Sequence, residues 1–197
     1  MTELSPIGPV AAALRGRPKV AIADPSLARS AVLVPLFVDD GELGAVFLRR
    51  SDQVEHHKRE YCFPGGHFEP QDESLSATAL RESAEEVGLA PGDVKILGEL
   101  DDVRTAHAVM ITPFVGSFPF PYRFVPNPAE VEAIVLLRLS RLLAPGVRTI
   151  EAWNRPRPGS SVAEPRTFTF YRVDQHVIWG ATALILDQLL GAIGNLP

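Results

Sequence analysis

Residues 63–89 constrain this chain more than any other stretch. Phe63-Pro64-Gly65-Gly66 reads as an aromatic strand end running into a turn, where paired glycines permit positive φ and close backbone approach to a ligand. The spacing then predicts a helix over 74–87. Ala77, Leu80, Ala84 and Val87 recur at i, i+3, i+7 and i+10 as one apolar stripe, with Asp72 or Ser74 suited to the N-cap and Gly88 to the position past the C-terminus. Glu82, Glu85 and Glu86 stand at i, i+3 and i+4, so they share a face. At ~100° per residue from Ala77, the stripe centres near roughly 320° and the glutamates spread over about 80° to 180°, on the other side.

Carboxylates stacked this closely repel by about a few tenths of a kcal/mol per exposed pair, and by more where they lose solvent. A hard divalent cation removes that penalty, and Mg²⁺ binds through one or two carboxylates plus substrate phosphates. For E-x-x-E-E alone, a solvated acidic face is the simpler reading. The glycine turn upstream and Arg81 beside Glu82 tip the reading towards a cation site.

The charge distribution agrees. With 24 acids against 19 bases and a net charge of -5, a nucleic-acid binder working by bulk charge is not expected. Ten of the acids lie in 69–102 against two bases, Arg81 and Lys95. The remainder holds 17 bases against 14 acids, and arginine outnumbers lysine by 16 to 3. Guanidinium forks suit phosphate oxygens, so a mildly basic body around one acidic centre fits a polyanionic substrate.

A length of 197 residues with 46% hydrophobic content suits one α/β (α+β) domain with a real core. The single cysteine, Cys62, cannot form an internal disulfide, which points to a reducing compartment. No stretch approaches the roughly 18 apolar residues of a membrane span, and Arg15 and Arg17 follow the short apolar patch at 10–14 where a secretory leader has its charges first. The expectation is a cytoplasmic protein with neither membrane nor nucleic acid as partner. A short helix is expected at 10–17, a hairpin from strands 31–38 and 44–48 around Asp39-Asp40-Gly41, and strands at 94–100, 108–115, 131–137 and 166–170. A short helix near 140–143 and an apolar helix over 177–193 complete a mixed sheet packed between helices. Residues 1–30 read as an N-terminal extension and 31–197 as the main domain.

From Gly66 to Leu89 the chain reads G-x6-E-x7-R-E-S-A-E-E-V-G-L, which resembles the Nudix box, G-x5-E-x7-R-E-U-x-E-E-x-G-U with U aliphatic. Gly66, Glu73, Arg81, Glu82, Glu85, Glu86, Gly88 and Leu89 match it. One extra residue precedes Glu73, and Ser83 replaces an aliphatic residue, at some loss of packing. The longer loop, with Phe63-Pro64-Gly65-Gly66, Pro70 and Asp72, is similar to that of the coenzyme A pyrophosphatase branch. Arg50 and Ser51 match that branch's upstream signature, whereas Glu55 reverses a charge and Arg59 stands where the branch has glycine. Downstream, Thr112-Pro113-Phe114-Val115-Gly116, Asn127-Pro128-Ala129-Glu130-Val131 and Trp179-Gly180-Ala181-Thr182-Ala183 also resemble it.

The resemblance implies a Nudix fold and a metal-dependent pyrophosphatase that cuts coenzyme A or acyl-CoA into 3′,5′-ADP and (acyl)phosphopantetheine. Glu55 and Arg59 motivate an alternative substrate such as ADP-ribose or NADH. A non-catalytic ligand sensor gains little support, because Glu73 and all three helix glutamates are present. The resemblance also implies Mg²⁺ or Mn²⁺ on Glu82, Glu85, Glu86 and the Gly66 carbonyl. The implied catalytic set is Glu82, Glu85, Glu130 and Arg81, with Glu82 and Glu130 equal candidates for the base and Glu73 a partner for Arg81. Arg50, Ser51, Gly65 and Gly66 are the implied substrate contacts, and a homodimer is compatible with the family.

Other residues have plainer readings. His56 and His57 suit a solvated loop, Phe63, Phe114 and Trp179 suit the core, and Cys62 suits a small buried hydrophobe. Tyr61 and Phe68 are candidates for stacking on adenine. Arg155, Arg157 and Arg166 either meet the extra phosphate of coenzyme A or coat a surface.

Overall fold

The computed structural model describes residues 6–53, 58–156 and 163–194. In chain order the elements are α1 (Ile7–Arg15), β1 (Ala28–Asp39), β2 (Glu42–Arg50), β3 (Tyr61–Cys62), β4 (Gly65–His67) and α2 (Leu75–Val87). After a short 3₁₀ turn come β5 (Lys95–Glu99), β6 (Val103–Arg104), β7 (Val109–Ser117), β8 (Val131–Arg138), α3 (Leu139–Leu142), β9 (Arg148–Pro156), β10 (Ala163–Val173), β11 (His176–Trp179) and α4 (Gly180–Ile193).

The twelve-residue β1 organises the main sheet. It pairs in parallel with β7 and antiparallel with β2 and β4, in the order β3-β2-β1-β7-β5, with β8 on β2 and β6 on β7. The two-residue β1–β2 turn carries positive φ at both Asp40 and Gly41, the geometry that matches strand twist in a tight hairpin. Because β1 is covered on both faces over 31–38 it is apolar there, and its side chains divide by parity. Ala31, Leu33 and Phe37 pack on the α2 side, while Val34 and Leu36 join the core under α1 and α4. The expected mixed sheet between helices is therefore present.

On the α4 side a second antiparallel sheet, β9-β10-β11, adds Tyr171, Val173 and Ile178 to that core. α1 is anchored there too, through Val10, Ala11 and Leu14. The C-terminal helix begins at Gly180 rather than at 177. Gly180 takes φ +66 and turns the chain out of β11, so 177–179 pair with β10 instead of coiling. β9 was not expected, because its half-buried side holds Thr149, Glu151 and Trp153 while Ile150 and Ala152 face solvent. No helix among the described residues is long and apolar enough to cross a membrane.

Candidate active site

The glutamate helix is set by its caps. The Ser74 side chain accepts from the Ala77 N–H at 3.1 Å, and Gly88 at φ +69 closes the C-terminus with its N–H donating to the Ala84 carbonyl. The face it buries differs from the stripe read in the sequence. Ala79, Ser83, Glu86 and Val87 are buried, whereas Ala77, Leu80 and Ala84 are only half-buried, a rotation of about 100°. Small side chains at Ala79 and Ser83 let the helix approach β1 and β4 closely. Ser83, which replaces the aliphatic residue of the family pattern, is fully buried and donates to the Ala79 carbonyl at 2.7 Å.

That rotation grades the three glutamates from core to solvent. Glu86 is 3% exposed and accepts from the Gly65 N–H at 2.9 Å. The Glu82 side chain is 15% exposed, and that of Glu85 is 56% exposed. Gly66 in β4 lies directly beneath Glu82. A Cβ there would overlap the carboxylate, so only glycine lets the strand and the carboxyl group touch. Gly65 is similarly confined, for its Cβ would meet Val32 Cα at 2.6 Å.

Arg81 gathers the outer part of the site. Its Nη1 donates to Glu82 Oε1 at 3.1 Å and Glu85 Oε2 at 3.2 Å, and its Nη2 to the His67 carbonyl at 3.1 Å. The expected partner Glu73 is not among these contacts and stands exposed. Asp72 takes its place. Both Asp72 oxygens meet the guanidinium, Oδ1 with Nε at 2.9 Å and Oδ2 with Nη2 at 3.1 Å. Thr78 Oγ1 and the Glu69 N–H also donate to Asp72. In the sequence Asp72 stands as a helix-cap candidate and as part of the loop signature, not as the partner of Arg81. The P-x-D of the loop was the available signal, because the extra loop residue lets either acid align with the family's single position.

A loop brings in Glu130. The Val125 and Asn127 N–H groups donate to the Val87 and Glu86 carbonyls at the end of α2, each at 2.8 Å. The Glu130 carbonyl accepts from the Ser51 N–H at 2.8 Å, which joins this loop to the end of β2. Ser51 is buried there, and beside it Arg50 Nε is buried with no hydrogen-bond partner among the described residues. A residue with a Cβ resists positive φ, yet Arg59 adopts φ +60, with paired contacts from its Nε and Nη2 to Asp52. The backbone at 59 therefore takes the form a glycine gives without the glycine.

Burial pushes the Glu86 carboxyl up to about 8, aided by the charges of Glu82 and Glu130 and opposed by the Gly65 N–H and Arg50. Glu82 is raised for the same first reason, with Arg81 opposing. Among the described residues, no group of three or more His, Cys, Asp or Glu side chains is closed to metal-holding geometry. Two under-compensated carboxylates above a glycine cradle nevertheless fit a hard cation. Mg²⁺ needs only one or two protein carboxylates, its other positions being filled by water and phosphate. The orphaned Arg50 Nε is likewise suited to an anionic oxygen.

Residues 27–155 match the family model described as the NUDIX domain. The chain belongs to the Nudix family. As a Nudix hydrolase it is 36% identical over 160 residues to the uncharacterized Nudix hydrolase NudL of Photorhabdus laumondii, covering 81% of this chain and 82% of that one. It is 39% identical over 116 residues to the mouse peroxisomal coenzyme A diphosphatase NUDT7, covering 59% of this chain and about half, 49%, of that protein. Among solved structures, a MutT/nudix family protein from Enterococcus faecalis superposes with a TM-score of 0.59 at 12% identity, covering 88% of this chain and 64% of that one, a likeness of fold. Nudix hydrolases generally use divalent metal ions and act on small nucleoside diphosphate derivatives.

The fold thus brings Glu82, Glu86, Gly65, Gly66, Arg50, Ser51 and Glu130 together, with Glu85 at the rim of the group. Of the remaining candidates, Phe63 is core, stacked on Phe47 at 4.7 Å, and Phe114 is buried. Tyr61 faces away from α2 and meets His176 at 2.8 Å, whereas the Phe68 ring lies under Arg29 at 4.4 Å. Trp179 sits in an aromatic cluster with Trp153, Phe168 and Phe170 on the second sheet. Burial pushes the Cys62 thiol up to about 12, as befits an inert hydrophobe. Arg166 stacks over Phe168 at 5.5 Å. His56, His57 and Arg157 lie outside the described residues, as does the Arg155 side chain.

Proposed function

We propose that this Nudix hydrolase cleaves the diphosphate of coenzyme A or its acyl derivatives, releasing 3′,5′-ADP and (acyl)phosphopantetheine. The observation that carries the reading is the convergence of half-buried Glu82 and buried Glu86 on the Gly65-Gly66 cradle, beside an Arg50 Nε with no hydrogen-bond partner among the described residues. Support for coenzyme A as substrate comes from the likeness to the mouse diphosphatase and from Arg59, whose backbone keeps the form of the branch's glycine.

In this reading Glu82 and Glu86, with Glu85 and the Gly66 carbonyl at the edge, hold Mg²⁺ or Mn²⁺. Such an ion neutralises phosphate charge and acidifies a bound water. The protein's own groups do the rest. Arg50 and the Gly65-Gly66 backbone orient the diphosphate, Ser51 shapes its floor, and Arg81 fixes the helix carboxylates through its ion pairs. Water adds to one phosphorus, the bridging oxygen leaves with the other phosphoryl group, and a carboxylate takes the water's proton. Glu82 and Glu130 act as one coupled system in that role.

Hydrolysis of coenzyme A, NADH and ADP-ribose side by side with Mg²⁺ and with Mn²⁺ tests it. Release of 3′,5′-ADP from coenzyme A, lost in Glu86→Gln, is the expected result. Turnover of ADP-ribose or NADH with none of coenzyme A rejects the substrate.

A further inference from the structure

We propose that Asn127 is a positioning residue: its side-chain amide holds the Glu130 carboxylate in the site, and its backbone locks that loop to the end of the glutamate helix. The inference rests on the reading of Glu130 as a member of the catalytic group. Asn127 Nδ2 donates to Glu130 Oε1 at 3.0 Å. On the same side chain, Oδ1 accepts from the Ala129 N–H at 3.2 Å, so the partners fix which way the amide points. The Asn127 N–H donates to the Glu86 carbonyl at 2.8 Å, and its own carbonyl accepts from the Glu130 and Val131 N–H groups at 3.1 and 2.8 Å. One residue thus touches the peptide of one acidic group and the carboxylate of another.

The chemistry explains the residue type. Glu130 stands within electrostatic reach of both Glu82 and Glu86, which repel it towards solvent. An amide N–H₂ opposes that repulsion with a hydrogen bond while leaving the carboxylate its full charge, whereas a lysine or arginine would neutralise it. The Asx turn from Oδ1 to Ala129 shapes the loop so that the next carboxylate turns inward. A substitution that keeps the 127 N–H and the Oδ1 acceptor leaves the backbone bonds and the turn in place, so Asn127→Asp isolates the amide donor.

Asn127→Asp keeps the oxygen acceptor of the turn and replaces the donor by a charge that repels Glu130, and Asn127→Ser keeps a weaker turn without the reach. Both are measured beside Glu130→Gln and the Asn127→Asp/Glu130→Gln double variant, with thermal midpoints recorded for each. The expected result is a kcat lowered at least about tenfold in both Asn127 variants, with KM within about twofold and the Asp midpoint near that of the parent. The double variant is expected to be no slower than Glu130→Gln alone, since once the Glu130 carboxylate is gone an amide at 127 has nothing to hold. Wild-type kcat in the Asn127 variants while Glu130→Gln is slow overturns this proposal alone, as do losses that multiply in the double variant. Wild-type kcat in Glu130→Gln removes Glu130 from the reaction and the proposal with it.

Discussion

Asp72 grips Arg81 with both carboxylate oxygens, Oδ1 to Nε at 2.9 Å and Oδ2 to Nη2 at 3.1 Å, with its side chain only 4% exposed. The guanidinium holds the Asp72 carboxyl well below the usual carboxylate range, so the pair is ionised at every working pH. Arg81 in turn aims at Glu82 and Glu85. Asp72→Asn leaves it without its paired acceptor, and a loss of about 2 kcal/mol is expected, together with a lower kcat as Glu82 loses its orientation. Glu73→Gln is expected to match the parent in both. Chemical denaturation and kinetics on the two variants check the contrast, and equal losses in the two would contradict it.

The Gly66 cradle predicts a sharper effect. A methyl group at Gly66→Ala must displace either β4 from β1 or the Glu82 carboxylate from its place. The strand is held by its ladder, so the side chain moves. Because the yielding atoms are the end of a side chain, the stability cost is expected at the low end of overpacking, about 1 kcal/mol, with turnover falling further than stability explains. Activity retained at the parental level would mean that Glu82 works from another position.

Burial of Glu86 makes a prediction about pH. A carboxyl raised to about 8 in the fold, from 4.5, binds its proton more tightly folded than unfolded. Its stabilising contribution is complete below 4.5 and is lost as pH rises through about 8. The metal-free protein is therefore expected to lose a few kcal/mol across that window, and Glu86→Gln to flatten the slope. Mn²⁺ binds the ionised form and is expected to raise the thermal midpoint most at the alkaline end. Calorimetry at a series of pH values, with chelator and with Mn²⁺, gives the comparison. A midpoint that rises with pH in chelator is the contrary outcome.

The parts of the site that share a period were legible in the chain. Glu82, Glu85 and Glu86 follow from helical spacing, and Gly66 from its place before the helix. Which face the helix buries was not legible, because that depends on what lies opposite. Two glycines in β4 and small side chains at Ala79 and Ser83 permit an approach that hydrophobicity alone does not reward, and Glu86 is carried into the interior by it. The choice between Asp72 and Glu73 failed for another reason, since a loop has no repeat to fix register. β9 hid its pattern by setting Glu151 on the half-buried aromatic face of the second sheet, where Arg172 meets it at 2.8 Å. Such compensation between distant residues leaves no local trace.

A last prediction concerns the far side of the sheet, where residues 17–22 are clasped to 99–102. Asp102 accepts from the Ile22 N–H at 2.9 Å and Thr112 Oγ1 at 2.7 Å, and pairs with Lys19 Nζ at 3.1 Å. Arg17 pairs with Asp101, which also accepts from the Val20 N–H. These donors lower the Asp102 carboxyl despite its burial. Its contribution is present above the ordinary value of 3.8 and is lost as pH falls through the lower folded value. Asp102→Asn is expected to lose about 1–3 kcal/mol near neutral pH and to weaken the acid dependence of unfolding. Because Asp102 bonds the segment that follows α1 and no residue of the Glu82 site, kcat is expected to stay at the parental value. Faster amide exchange over 17–22 would locate the loss, and a slowed reaction with unchanged exchange would show that the clasp serves the site instead.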